Sequence, residues 1–510
     1  MFTSFDQSRS AVAKQGPLNV VLFETQEASP HLETTLEIAQ RHLDAGDNVT
    51  ICFWYGELPY HEPWGPTDPS VRPGAAFDRG IKRLSSDVRV IDRLGLSELR
   101  KSELAKEAAE MPLSTIADLK LLRWRDLDLG MGVVSSLISR FKTPDLDLQK
   151  HNNIARDAIR AFMLAYEASC AVYAENHFDL AYFFNGRFCS TRAILGATQN
   201  NQIEFRIQER GCDPSHYCLL TNVPHDRVRL QRNILKFWDQ HSEEYRQQQA
   251  EAFYDGRRKG GSHGWPSFTS HQDQGVPQTL RSTRYLLSYF CGSDDENVAI
   301  GDAFAQQGFE TQAEAVLALL DTIKSQPDCH LAIRVHPHLR SKSAESRYFW
   351  DHLPVSENVT VIAADSPINS YDLIDASDLV ITYGSTVGVE ASYYGKPVLL
   401  LGSSFYDQLN ASHQAYTPET IRDFLSDPAQ WTSHARAGSL KYGFYANKHG
   451  VPFEYYEPSD FFYGEFRGQN LFVEPPHATH HEAHGLPDRI SRRTRKVFRS
   501  LLPKALRSPQ

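Results

Sequence analysis

The stretch DLVITYGSTVGVEASYYGKPVLLLG, residues 378–402, decides the fold. DLVITYG (378–384) has the apolar run of a buried strand, STVG turns, VEASYYG takes helical spacing, and KPVLLLG (396–402) returns as a strand. Strand–turn–helix–strand at this length is the unit of a parallel α/β sheet, whose strands are covered on both faces. Ser385 and Thr386 stand where strand gives way to helix. The free N–H groups and dipole of a helix start attract an anion, and two hydroxyls add hydrogen bonds. The same residues would equally serve as an ordinary N-cap. Gly384 and Gly388 read as room for a phosphate to approach the backbone.

Outward from this stretch the pattern repeats. RYLLSYF (284–290), HLAIRVHP (330–337) and VTVIA (359–363) read as strands, and TQAEAVLALLDTIKSQ (311–326) and YDLIDAS (371–377) as helices. His336-Pro337 ends one strand. A histidine there donates to a phosphate oxygen or protonates a leaving group, and the proline fixes the end of the strand. CGSDDEN (291–297) puts Asp294 and Asp295 at another strand end, suited to an acceptor hydroxyl, a metal or a helix cap.

An earlier α/β series has the same grammar. NVVLFE (19–24) and NVTICF (48–53) read as strands flanking the helix LETTLEIAQRHLDAG; residues 94–145 and 153–177 read as helical. DLAYFF (179–184) and IEFRIQE (203–209) are further strands, ending in Asn185-Gly186-Arg187 and Glu209-Arg210-Gly211. A carboxylate beside an arginine at a strand end is a candidate base, although a surface ion pair has the same pattern. The Gly-, Ser-, Gln- and Pro-rich run 255–281 reads as the linker between the two series. The expected architecture is therefore α/β: two facing Rossmann-like domains with a helical insertion and a basic C-terminal tail. Ligands belong in the cleft at the carboxyl ends of the strands. The domains read as 1–270, 280–440 and a C-terminal extension, 441–510.

Composition narrows the function classes. The 510 residues carry 53 Lys and Arg against 63 Asp and Glu, a net charge of −10, which argues against broad nucleic-acid binding. No apolar run approaches the ~18 residues of a membrane helix, and the first residues show no signal-peptide core. Seven cysteines without a CxxC pair exclude a disulfide scaffold and a familiar zinc site, and fit a reducing cytoplasm. HATHHEAH (477–484) reads as loop, so no metal site is expected. From Arg489 to Gln510 there are eight Lys or Arg and no acid, interleaved with Ile490, Val497, Phe498, Leu501 and Leu502. Arg489–Arg507 suits an anionic membrane surface, and equally a solvated basic helix.

The His-Pro pair, the run DLVITYGSTVGVEA and the following GKPVLLLGSSFYD resemble bacterial capsule-polysaccharide glycosyltransferases of the Kdo-transferase type, which have the two-domain GT-B fold. NGR (185–187), ERG (209–211) and the acidic turn GSDDE are similar to that family's Gly-x-Arg, Glu-x-Gly and acidic elements. The resemblance spans roughly residues 180–410. It implies that His336, Pro337, Ser385, Thr386 and Gly388, with Arg187, hold a nucleotide-sugar donor, and that Glu390 reaches its ribose. Glu209 would be the catalytic carboxylate, with Asp294 and Asp295 next in line. The implied donor is a CMP-sugar such as CMP-Kdo, used as a substrate with no separate cofactor. The implied acceptor is a surface polysaccharide or glycolipid at the inner face of the plasma membrane. A polyol-phosphate transferase of wall-polymer synthesis, a nucleotide-sugar epimerase or hydrolase, and a non-catalytic scaffold would share these features.

Overall fold

The computed structural model describes residues 4–12, 16–62, 65–66, 74–144, 146–261, 272–292, 299–341 and 344–472. The first half is built on seven strands: β1 (Asn19–Glu24), β2 (Asn48–Phe53), β3 (Arg89–Ile91), β4 (Leu180–Phe184), β5 (Glu204–Arg210), β6 (His216–Leu220) and, from the end of the chain, the strand Val451–Pro452. Their order is β3-β2-β1-β4-β5-β6, with Val451–Pro452 outermost beside β6. The first five strands are parallel, whereas β6 and Val451–Pro452 add antiparallel edges that the sequence pattern does not announce. Alternation along β1 divides two cores. Val21 and Phe23 pack under the helices Leu129–Phe141, Asn152–Glu175 and Cys189–Asn200, while Val20 and Leu22 pack under His31–Asp44. Each such fully buried side chain contributes about 1.5–3 kcal/mol.

The second half is an all-parallel sheet of β7 (Tyr285–Phe290), β8 (Cys329–Arg334), β9 (Val359–Ile362), β10 (Leu379–Thr382), β11 (Val398–Leu400) and β12 (His413–Gln414). Their order, β9-β8-β7-β10-β11-β12, reverses between β7 and β10, which is the doubly wound Rossmann pattern. In the first half the reversal falls between β1 and β4. Two Rossmann-like domains form the GT-B arrangement expected from the sequence.

Two boundaries differ from the sequence reading. The helical stretch 94–145 is three helices, Glu98–Glu110, Ile116–Lys120 and Leu129–Phe141, broken where Arg125 and Asp126 take positive φ. The front of the supposed linker is the end of the helix Glu243–Arg258, and its rear already packs on the second domain. There Gln272 accepts from the Ser370 N–H and hydroxyl at 3.0 and 2.8 Å.

The chain then crosses back. The helix Ala437–Lys448 packs on Glu243–Arg258 and Arg227–Asp239, and Val451–Pro452 joins the first sheet. Arg227 and Gln231 of the first half meet Asp407 of the second at 2.5 and 2.6 Å. The last described residues, Leu471 and Phe472, are buried in the first domain. The basic segment Arg489–Arg507 lies outside the described residues, as do Asp294 and Asp295. Among the described residues, no helix is long and apolar enough to cross a membrane.

Candidate functional site

The second sheet lines up its strand ends. Arg334, Phe290 and Thr382 pair side by side across β8, β7 and β10. Two residues further along these strands come His336, Gly292 and Gly384, so all three turns share one rim at the reversal point. Adjacent strands lie ~4.8 Å apart, which sets His336 about two spacings from the Ser385 turn. The turns are braced from behind. Gln312 Oε1 accepts from Gly292 N at 2.8 Å and from the Tyr289 hydroxyl at 3.1 Å. Thr382 Oγ1 donates to Phe290 O at 2.9 Å and accepts from Ser385 N at 3.0 Å.

Ser385 and Thr386 are not a conventional cap. The Thr386 side chain makes no capping bond, and Thr386 is exposed; Ser385 Oγ is only 3.4 Å from Val387 N. His336 and Pro337 are half-buried, and Pro337 opens the 3₁₀ turn Pro337–Ser341.

Three sequence assignments on this rim take another meaning. A Cβ on Gly388 would lie 2.2 Å from the Tyr406 hydroxyl, and one on Gly384 2.7 Å from Ser403 O. These glycines make room for protein, since Tyr406 must reach over Gly388 to donate to Ser385 O at 2.6 Å. Glu390 is turned away from the rim. Its Oε1 accepts from Arg257 at 3.2 Å and its Oε2 from the Tyr371 hydroxyl, and it is 2 % exposed. It joins the domains, and both of its oxygens are already engaged.

The first domain gathers carboxylates at its own reversal point. β4 ends in Asn185 and Gly186, both at positive φ, 55° and 75°. This tight turn aims Asn185 Nδ2 at Glu209 Oε2, 2.6 Å away, while Arg210 N donates to Oε1 at 2.9 Å. Burial raises the Glu209 pKa above the usual carboxylate range; the hydrogen bonds from Arg210 N and Asn185 and the charges of Arg210 and Arg187 restrain the rise. That tuning suits a group that must take up a proton. Arg187 stacks over Phe188, its guanidinium carbon 4.7 Å from the ring centroid.

Glu209 opens on a narrow cleft, partly open to solvent, shared with His31, Gln208, Arg210 and Asp213 and roofed by Phe453 and Phe461. Arg210 Nη1 donates to Phe461 O at 2.7 Å, so the returning chain closes one side. Behind this rim Glu33, fully buried, is raised by burial to about 8, and Glu24 to about 7.

His225 is a residue that sequence reasoning misses. It sits just before the helix Arg227–Asp239, its ring 6.4 Å from that of Phe405 of the second domain. Its Nδ1 is buried without a hydrogen-bond partner. Burial, and then the charge of Arg187, push its pKa well below the ordinary range, so the ring is neutral. His31 is also missed; it opens the helix after β1 with its ring 4.1 Å from that of Phe184. The strand-end rule applied to β1 is the signal that would have found it.

Residues 271–445 match the family of capsule polysaccharide biosynthesis proteins. The match begins where the described second domain begins, and it contains the His336-Pro337 and Ser385-Thr386 motifs. Family match and fold agree as far as they go: the second domain is similar to capsule polysaccharide biosynthesis proteins, and the two Rossmann-like domains have the GT-B architecture. No curated protein matches the chain. Among solved structures, the beta Kdo 2,4 transferase of Thermosulfurimonas dismutans KpsC is 14% identical, covering 53% of this chain and 79% of that one at a TM-score of 0.35. The beta Kdo 2,7 transferase of the same protein is 15% identical, with 59% and 87% covered and a TM-score of 0.32. A UDP-GlcNAc 2-epimerase from Neisseria meningitidis is 10% identical, with 83% and 96% covered and a TM-score of 0.26. At these values nothing about donor or acceptor follows from the likenesses.

Proposed function

We propose that the protein transfers a sugar from a nucleotide donor, a CMP-sugar such as CMP-Kdo, to a growing capsular polysaccharide or its lipid-linked precursor. The observation that carries this reading is the shared rim of His336, Gly292 and Ser385-Thr386 at the reversal point of the second sheet. The donor phosphate sits there, held by the His336 ring, the two hydroxyls and backbone N–H groups, which stabilise it as it departs. Glu209 faces the acceptor cleft and removes the proton of the attacking hydroxyl. Arg187 and Arg210 set its charge, and neutral His225 offers Nδ1 to a polar group entering between the domains. Asp294 and Asp295 remain the alternative carboxylates. The basic segment Arg489–Arg507 would hold the enzyme to an anionic membrane where lipid-linked acceptors lie.

A thermal-shift series with CMP, CDP, UDP and GDP tests the donor. A bound nucleotide stabilises the fold by RT ln(1 + [L]/Kd), so CMP should raise the midpoint most. A rise with UDP alone would replace the CMP assignment, and no rise with any of them would remove the donor site from this rim.

A further inference from the structure

The turn joining β5 to β6 carries three side chains that the proposed reaction does not use as a set. Cys212, Asp213 and His216 each present one ligand atom, and the three atoms lie within 4.8 Å of one another. Three ligands of one tetrahedral ion, with bonds of about 2.0–2.3 Å, sit ~3.3–3.8 Å apart, so small side-chain rotations would bring these three onto one ion. The backbone fixes them. Gly211 N donates to His216 O at 2.9 Å and His216 N to Asp213 O at 3.1 Å. A Cβ on Gly211 would lie 2.5 Å from His216 Cβ, so this position admits only glycine while the turn keeps its shape.

A simpler account covers two of the three. Asp213 Oδ1 is 2.7 Å from His216 Nδ1 and 2.6 Å from Ser215 Oγ, an ion pair closing a turn. It leaves unexplained why a buried thiol is brought onto the same pair. The returning chain adds a fourth group nearby. Cys212 N donates to His449 O at 2.9 Å, and His449 Nδ1 lies 2.8 Å from Tyr445 O.

We propose that Cys212, Asp213 and His216 bind a zinc ion. Mixed sulfur, nitrogen and oxygen donors select zinc over magnesium or calcium, which take oxygen ligands. The Cys-Asp-Pro-Ser-His run matches no familiar ligand spacing, so the sequence alone points away from a metal. Asp213 and His216 also line the cleft that holds Glu209, which leaves the fourth position open to water from that side. The ion would pin the turn that follows Glu209 and Arg210, whatever donor the second domain takes.

The test uses the full-length protein purified without chelator. The expected result is about one zinc per chain by elemental analysis, and a thiolate-to-cobalt charge-transfer band when the metal-free protein is titrated with Co²⁺. Cys212→Ser should abolish that band. His216→Ala should weaken zinc binding by more than ~100-fold, since loss of even an outer partner of a ligand costs ~10–100-fold. Zinc, and not magnesium, should raise the thermal midpoint of the unaltered protein. Absence of stoichiometric zinc together with absence of the cobalt band would overturn the proposal. So would a band that survives Cys212→Ser, because the thiolate would then come from another of the seven cysteines. Should Cys212→Ser fail to fold, His216→Ala decides: unchanged zinc affinity in that variant refutes the site.

Discussion

The two strand-end rims differ in chemistry although their sheets share one topology. The rim of the first domain holds or backs onto Glu24, Glu33, Glu62 and Glu209, and burial raises the pKa of each. On the second, the described residues of the turns after β7, β8 and β10 offer glycine, histidine, serine and threonine, and the turn after β7 continues into Asp294 and Asp295, which lie outside the described residues. Glu24 and Glu33, raised to about 7 and about 8, exchange protons near neutral pH. A rim of hydroxyls, imidazole and backbone N–H groups accepts an anion. On the proposed reading, the same strand order serves the acceptor's proton in one domain and the donor's phosphate in the other.

The largest expected effect tests the first rim. Glu209→Gln preserves size and one of the two bonds from Asn185 and Arg210 but cannot take a proton, so turnover should fall by ~10²–10⁴ while nucleotide binding is kept. Loss of nucleotide binding with turnover spared would place Glu209 on the donor side. Next, Glu390→Ala separates joining from binding. It strands Arg257 without its partner and should cost about 3 kcal/mol, the low end for a buried pair because the Arg257 side chain stays 26 % exposed. The check is thermal or chemical unfolding together with nucleotide affinity. An affinity loss at unchanged stability would return Glu390 to the donor.

Much of this division is legible in the sequence. Parallel strands covered on both faces read as plain apolar runs, so β1, β2 and β7 are placed almost to the residue. His336, Ser385 and Glu209 are singled out because each ends such a run. The antiparallel edge β6 and the returning strand Val451–Pro452 are not, since two or five residues leave no period to detect. The glycines and Glu390 mislead for a different reason. A turn glycine looks the same whether its missing side chain leaves space for a ligand or for Tyr406, and an acid one helical turn past a strand points to whichever neighbour the tertiary fold supplies. His225 is invisible because its environment comes from Phe405 and Arg187, 180 and 38 residues away in the chain.

His336→Ala addresses the second rim and should have a smaller effect. A charge-assisted hydrogen bond to phosphate is worth ~1.5–3 kcal/mol, so nucleotide affinity or turnover should fall at least tenfold. Stability should change little, since the half-buried ring sits at the rim and outside the core. Unchanged kinetics in the purified variant would move the phosphate off this rim and end the division of labour between the sheets.

The smallest effect is read as a slope with pH. Glu33 is fully buried; its Oε1 accepts from Ser29 Oγ at 2.8 Å, and its Oε2 has no hydrogen-bond partner. Burial raises its pKa to about 8. Between pH 5 and 8 the native chain holds a proton there that the unfolded chain has released. Unfolding therefore releases a proton, and this group's contribution to stability falls as pH rises, by on the order of 1 kcal/mol per pH unit, against the opposite contribution of the buried His61 and His449, whose pKa is lowered to about 4. Glu24 adds to the fall up to about pH 7. Asp47 does not interfere. Its burial is outweighed by hydrogen bonds from His42, Arg9 and Leu18 N, which hold it below the usual range, so its contribution is complete before pH 5. Glu33→Gln keeps a neutral side chain of the same size and removes this part of the slope. Relative to the unaltered protein, the variant should gain stability steadily from pH 5 to pH 8 in matched unfolding curves. A difference between the two proteins that stays constant over that range would mean that Glu33 titrates as an ordinary carboxylate, and the first rim would lose its claim to hold protons.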